Sequence, residues 1–267
     1  MIKYSKKLIE FFFSIFNLAI YRTSGPIRDN LYKKIFNKLK IFDTGHNLIR
    51  IGPDTDGGYV LPDILDEIEY CYSPGVGHTS EFEKQISQKN IKCFLADYNV
   101  EKPTDNSFKF NFLKKNLNSY TDEKNITLDE WVKTNTKDNS NLLLQMDIEG
   151  SEIDVILNVS IDTLLKFKIL LIEFHDFDFL KTMFGIRILN NVFDKLSKNF
   201  TVCHIHPNNC CGYTRFSNYK VPKVMEFTFI RNDLIIKKNR IVNNLPLKID
   251  KKNIKNKKEI FLSETFF

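Results

Sequence analysis

Leu142-Leu143-Leu144-Gln145-Met146-Asp147-Ile148-Glu149-Gly150-Ser151-Glu152 is an apolar run that stops at two carboxylates and a glycine. Ser151-Glu152 then opens a segment of helical character through Val155-Ile156-Leu157. A short run apolar on both faces reads as a buried parallel strand, and a turn leading into a helix is the connection such a strand needs. Ligands of open α/β sheets bind outside the carboxyl ends of the strands, which makes Asp147 and Glu149 candidate site residues. Glu152 reads as an acid in the first helical turn, where it complements the helix dipole.

On both sides of this stretch a strand-then-helix rhythm repeats. Residues 68–73 form a strand that ends at Pro74-Gly75-Val76-Gly77, and Ser80 to Ile86 begin a helix. Strands follow at 91–96, closed by Asp97, and at 108–112. Thr127 with Glu130 three residues on is a capping-box start for another helix. Residues 168–175, 200–206 and 224–230 are further strands, with helical spacing from Phe184 through Leu196 between the first two. The last two strands have no obvious helix between them, so the final strand is expected to run antiparallel. The fold class is therefore α/β with a seven-stranded, mostly parallel sheet. Upstream, residues 27–42 have the spacing of an amphipathic helix. Asp56-Gly57-Gly58, set between β-formers, reads as a tight turn. The domain organisation expected is a helical appendage over 1–45, one α/β domain over 46–232 and a basic extension over 233–267.

Composition narrows the class. With 267 residues, 42% of them hydrophobic and 24 Phe, the chain can bury one large core. The net charge of +6 is concentrated between residues 231 and 258, where ten Lys or Arg face only Asp233 and Asp250. The remainder is slightly acidic, so the basic run reads as a solvated surface and no nucleic-acid partner is expected. Five cysteines, odd in number and without a repeated CxxC, argue against a disulfide framework or a structural zinc. They fit a reducing, cytoplasmic compartment. Residues 8–21 are apolar but interrupted by Glu10 and Asn17, too broken for the roughly 20 apolar residues of a membrane span. An amphipathic helix on a membrane surface or on the protein's own core is the better reading.

Two constellations could carry chemistry. Gly75-Val76-Gly77 after the first strand, with Asp97 ending the second about 20 residues on, is where such folds bind a nucleoside. A carboxylate accepts from both ribose hydroxyls. No third glycine completes the phosphate-binding pattern, so adenosine without a pyrophosphate is expected, and a nicotinamide-linked reductase is disfavoured. The second constellation is Asp147, Glu149, Glu173, His175, His204 and His206. Alternation along a strand puts Glu173 with His175 on one face, and His204 with His206 on another. They could form an acid/base centre or an oxygen and imidazole metal site of the Mg, Mn or Fe kind. Spacing alone assigns no metal ligand. Taken singly, each histidine reads as a hydrogen-bonded structural residue; as a set converging at one edge of the sheet, they point to function.

Asp56-Gly57-Gly58-Tyr59-Val60, Ser73-Pro74-Gly75-Val76-Gly77 with Phe82-Glu83, Thr127-Leu128-Asp129, Asp147-Ile148-Glu149-Gly150-Ser151-Glu152, Ile172-Glu173-Phe174-His175 and His204-Ile205-His206-Pro207-Asn208-Asn209 together resemble the FkbM-type methyltransferases. The resemblance covers roughly residues 50 to 230. It implies a Rossmann-like class I methyltransferase fold, S-adenosyl-L-methionine as cofactor, and O-methylation of a hydroxyl in a sugar, glycan or related small molecule. Carried over, Ser73, Gly75, Gly77, Asp97 and Asp147 would line the cofactor site. Glu149, Glu173, His204 and Asn208 would shape the acceptor pocket. The common Asp-Val-Gly-Ala-Asn-x-Gly form of the glycine loop is replaced here by Ser73 and Pro74. His206 is the leading candidate for the base, then His175 and Asp147, because a neutral imidazole is available near pH 7. The rival class is a non-catalytic adenosine- or glycan-binding module of surface-polysaccharide assembly.

Overall fold

The computed structural model describes residues 9, 11–13, 15–16, 26–77, 79–105, 107–216, 218–241 and 245–267. Seven strands form its central sheet: β1 (Tyr70–Pro74), β2 (Lys92–Ala96), β3 (Phe110–Leu113), β4 (Leu142–Met146), β5 (Phe167–Phe174), β6 (Phe200–Pro207) and β7 (Met225–Arg231). Their spatial order is β6-β7-β5-β4-β1-β2-β3. Strands β1 to β5 pair in parallel, and β7 inserts antiparallel between β5 and β6. The expected mostly parallel sheet with an antiparallel last strand is thus observed. The direction of winding reverses between β1 and β4, which opens a crevice at their carboxyl ends.

Alternation along each strand builds two apolar layers. Leu142, Leu144 and Met146 of β4, with Leu170, Ile172 and Phe174 of β5, face a layer that includes α1 (Pro26–Lys38), α3 (Leu128–Asn135), α4 (Glu152–Asn158) and α6 (Met183–Ser197), with the short α5 (Ile161–Leu164) between the last two in the chain. Leu143, Ile169 and Leu171 face the other side, covered by α2 (Glu81–Ser87) and a hairpin, Leu48–Ile51 with Tyr59–Pro62. Replacing one of these fully buried leucines by alanine costs about 2–5 kcal/mol. The turn read at Asp56-Gly57-Gly58 is the bend of that hairpin, and its strand Tyr59–Pro62 lies against β5, β6 and β7. Thr228 Oγ1 of β7 donates to the Val60 carbonyl at 2.6 Å and fixes it there.

Local signals play out with small differences. Thr127 caps α3 as expected, accepting from the Glu130 amide. The Glu130 carboxylate, however, takes the Thr121 hydroxyl at 2.6 Å, and that oxygen accepts from the Thr127 amide, so the return half of the capping box is relayed. The helix expected over 27–42 ends at Lys38, because Phe42–Asp43 pairs antiparallel with Asn239–Arg240. Its face is core: Tyr32, Ile35, Phe36 and Leu39 are buried, and the Tyr32 hydroxyl donates to the Leu180 carbonyl at 2.7 Å.

The basic segment after residue 232 divides by residue type. Lys237, Lys238, Arg240, Lys252, Lys255, Lys257 and Lys258 are exposed or nearly so, while Asn253, Ile260, Leu262 and Phe266 are buried. Phe266 packs edge-on against Phe36. The chain after the last sheet strand is therefore strapped across the body rather than only solvated. Cys210 and Cys211 are bonded to each other, a difference from the reading of the cysteines, although a bond between neighbours builds no framework. Cys71, Cys93 and Cys203 are free and buried. Most of the segment 8–21 lies outside the described residues. Among the described residues no helix is long and apolar enough to cross a membrane.

Candidate functional site

The crevice at the switch point is held open by two glycines. Gly75, just after β1, has φ +83°, and a Cβ there would stand 1.6 Å from the Asp147 carbonyl oxygen. Only glycine lets the β1 and β4 turns touch in this way. Gly77, at φ +58°, has open space where a Cβ would sit, and its amide donates to Asp97 Oδ2 at 2.9 Å. Asp97 Oδ1 accepts from the Asn99 amide at 2.7 Å. Each oxygen keeps a further lone pair, so the buried carboxylate is oriented by backbone and still able to accept from hydroxyls.

A cavity of about 520 Å³ lies over these residues, lined by Gly75, Gly77, Asp97, Asn116, Asn118 and Asp147 among others. A second, of about 410 Å³, is lined by Thr55, Asp56, Tyr59, Glu83, Gln145 and Asp147 among others. Gly75, Gly77, Asp147 and Glu149 line both. These four residues are the junction of the two spaces.

The β4 turn places the carboxylates at that junction. Glu149 has φ +56° and Gly150 φ +105°, a pair of left-handed residues that turns the chain from strand to helix. The Glu152 side chain is buried and reaches back to accept from the amides of Ile148 at 3.1 Å and Gly150 at 3.1 and 3.2 Å. It also lies 3.1 Å from His175 Nδ1, so the acid at the start of the helix orients a histidine as well. His175 Nε2 then lies 3.9 Å from Asp147 Oδ1 and 3.5 Å from Glu149 Oε2. Asp147 Oδ1 is buried without a hydrogen-bond partner. Burial, reinforced by Glu149, Glu152 and Asp56 against the opposing pull of His175, raises the Asp147 carboxyl to about 7. Burial works against charge on His175, but Glu152, Asp147 and Glu149 outweigh it and lift the imidazole to about 9.

Glu173, Asn208 and His206 belong to a second cluster, linked to the second cavity through Asp56. Glu173 and Glu226 face each other across β5 and β7. Asn208 Nδ2 donates to Glu173 at 2.8 Å, and Asn253 Nδ2 donates to Glu226 at 2.6 Å and to Asp56 at 2.8 Å. Burial, then the charges of Asp147 and Glu226, push the Glu173 carboxyl well above its ordinary range. His206 is buried with Nδ1 3.2 Å from Glu226, and it lines neither cavity. Burial opposes its charge, yet Glu226, Asp250 and Glu259 raise its pKa. The structure thus places His206, the leading candidate for the base, in an enclosed position away from both cavities. His204 is likewise buried, with Nε2 2.9 Å from Asp250 under the C-terminal strap. Asn208 is a buried clamp, its Oδ1 accepting from the Cys210 amide at 2.9 Å. Ser73 is fully buried, its hydroxyl between Glu83 and Gln145, the latter 2.5 Å away, and lines neither cavity. The first cavity is lined there by the bare backbone of Gly75 and Gly77 instead. Sequence reasoning gives no site role to Asp56, Glu152 or Glu226. Glu226 alone carries a signal, being a lone carboxylate inside the apolar run Met225-Glu226-Phe227-Thr228-Phe229.

A sheet of this order, a glycine turn after β1, an acid after β2 and a junction at the switch point are consistent with a Rossmann-like methyltransferase fold. The family model described as the Methyltransferase FkbM domain matches residues 42–232, well over half of the chain. The chain belongs to that family of methyltransferases. Neither the curated proteins nor the solved structures contain a match to it.

Proposed function

We propose that the protein transfers a methyl group from S-adenosyl-L-methionine to a hydroxyl of a sugar, glycan or related small molecule. The observation that carries this reading is that two cavities meet at Asp147. The first suits the donor: Asp97 is ready for the ribose hydroxyls, and Gly75 and Gly77 present bare backbone to a flat or extended ligand. Carboxylates at the junction favour a sulfonium cation there. The second cavity, lined by Thr55, Asp56, Tyr59, Glu83 and Gln145, offers hydrogen-bonding groups suited to a polyhydroxylated acceptor.

In this reading the acceptor oxygen attacks the methyl carbon in line. The carbon–sulfur bond breaks, its electron pair stays on sulfur as a neutral thioether, and the hydroxyl proton passes to Asp147. A carboxyl raised towards neutrality by burial is matched to accepting that proton. The carboxylates around His175 favour its protonated form in the ligand-free protein, so it serves as the neighbour that holds Asp147 in place rather than as the base. Alignment of donor and acceptor can supply on the order of 7–11 kcal/mol in favourable systems.

Calorimetric titration of the full chain with S-adenosylhomocysteine tests the donor half, and saturable binding is expected. A folded, ligand-free preparation that fails to bind removes the donor reading and favours a non-catalytic glycan-binding module. With donor binding in hand, release of S-adenosylhomocysteine with a methylated product from hydroxylated acceptors tests the transfer.

A further inference from the structure

We propose that Asp147, Glu149 and His175 form a binding site for one divalent cation of the Mn²⁺ or Mg²⁺ class at the junction of the two cavities. One ligand atom from each residue lies within 4.8 Å of the other two. The His175 Nε2 distances of 3.9 Å to Asp147 and 3.5 Å to Glu149 are too long for good hydrogen bonds. Ligand atoms about 2.0–2.2 Å from a shared ion stand roughly 3–4 Å apart, so these spacings need only a slight contraction.

Two further observations point to a ligand between these atoms. Asp147 Oδ1 is buried and has no hydrogen-bond partner in the protein, a cost that a bound cation would remove. His175 is presented in the manner of a metal-binding imidazole: its Nδ1 faces the buried Glu152 carboxylate at 3.1 Å, which fixes the ring and directs Nε2 at the other two residues. Glu152 is itself held by the Ile148 and Gly150 amides, so this supporting layer is rigid. Two carboxylates and one imidazole, which releases its proton as the ion binds, balance a charge of two and suit a cation that prefers oxygen while accepting one nitrogen. The Glu149 side chain is 87% exposed and able to close over the ion.

The role follows from place and rests on the methyl-transfer reading. An ion at the junction leaves coordination positions open towards the acceptor, where it would hold a hydroxyl oxygen and make its proton easier to lose. Binding of the ion does not depend on that reading.

The test is titration of the purified full chain with Mn²⁺, followed by the electron paramagnetic resonance signal of the free ion, with S-adenosylhomocysteine binding measured on the same samples. One Mn²⁺ per chain is expected, lost in His175→Ala, sharply weakened in Glu149→Gln, and weakened roughly 10–100-fold in Glu152→Gln. Glu149→Gln alters an exposed side chain, so its effect does not depend on how well the histidine variant folds. Glu173→Gln, in the neighbouring carboxylate cluster, should keep the site. Absence of Mn²⁺ binding by a chain that binds S-adenosylhomocysteine overturns the cation site and leaves the donor reading intact. So does binding that survives His175→Ala but disappears in Glu173→Gln. Mn²⁺ binding with the expected variant pattern but no S-adenosylhomocysteine binding supports the cation site and removes the donor reading.

Discussion

Replacing Glu83 by glutamine should stabilise the protein above neutral pH and leave it nearly unchanged in mild acid. Glu83 is buried on α2, and burial raises its carboxyl from an ordinary 4.5 to about 7, with the Ser73 hydroxyl opposing the rise. The Ser73 hydroxyl has a single proton and lies between Glu83 Oε1 and Gln145 Oε1, while Gln145 Nε2 donates to the Tyr59 hydroxyl at 2.9 Å. The chain of bonds closes without conflict when a protonated Glu83 donates to Ser73 and Ser73 donates to Gln145. A carboxyl whose folded pKa is raised contributes stability that is complete below its unfolded pKa and is lost as pH climbs through the folded one. The window is therefore about 4.5 to 7, and the loss above it is roughly 3 kcal/mol at about 1.4 kcal/mol per unit. Glutamine reproduces the protonated donor and does not titrate. Chemical denaturation of both proteins at about pH 5, 7 and 8.5 should give curves that separate with rising pH, glutamine being the more stable by up to ~3 kcal/mol. Because all other titrations are shared, the difference isolates this group. Parallel curves, or a glutamine variant weaker at every pH, would refute the reasoning. They would show the reverse chain, with Tyr59 donating to Gln145, Gln145 to Ser73 and Ser73 to an ionised Glu83.

Asp97→Ala should weaken S-adenosylhomocysteine by roughly 10–100-fold, the worth of one or two hydrogen bonds to a charged group, as read by calorimetry. Asp147→Asn should keep donor affinity within a few fold while cutting turnover by roughly 10²–10⁴, the usual contribution of a positioned proton acceptor. Unchanged turnover would place the base elsewhere. Gly75→Ala puts a methyl group 1.6 Å from the Asp147 carbonyl and should lower the melting temperature and abolish donor binding together. Asn253→Ala strips a donor shared by Asp56 and Glu226, at a cost of roughly 1–3 kcal/mol in denaturation experiments. No change there would mean that water replaces the amide without loss.

Much of the fold is legible because buried parallel strands announce themselves as uninterrupted apolar runs. Leu142 to Met146 is fully buried along its length, and its neighbours carry the same sign. The lining of the first cavity is legible too, since Gly75, Gly77 and Asp97 lie at spacings that backbone geometry dictates. The charged partners are not. His204 and His206 stand on a strand as expected, but whether they face a cavity depends on Asp250 and Glu226, set by pairing and by the strap rather than by neighbours in sequence. Glu152 looks like any acid in a first turn, and nothing local shows that its carboxylate folds back onto a histidine 23 residues away. The packing of Ile260, Leu262 and Phe266 is hidden because their apolar character is diluted by the lysines around them.

The C-terminal strap makes the two cavities depend differently on the rest of the molecule. The lining of the first falls entirely between Gly75 and Ser151, a contiguous stretch whose own strand pairs hold it together. The second borrows Asp56 from the hairpin, and Asp56 is tethered by Asn253, 197 residues further along the chain. Loosening the strap frees Asp56 while leaving Asp97, Gly75 and Gly77 undisturbed. The two halves are thus of unequal fragility: on warming or in mild denaturant, recognition of the second ligand should fade while the first is still held.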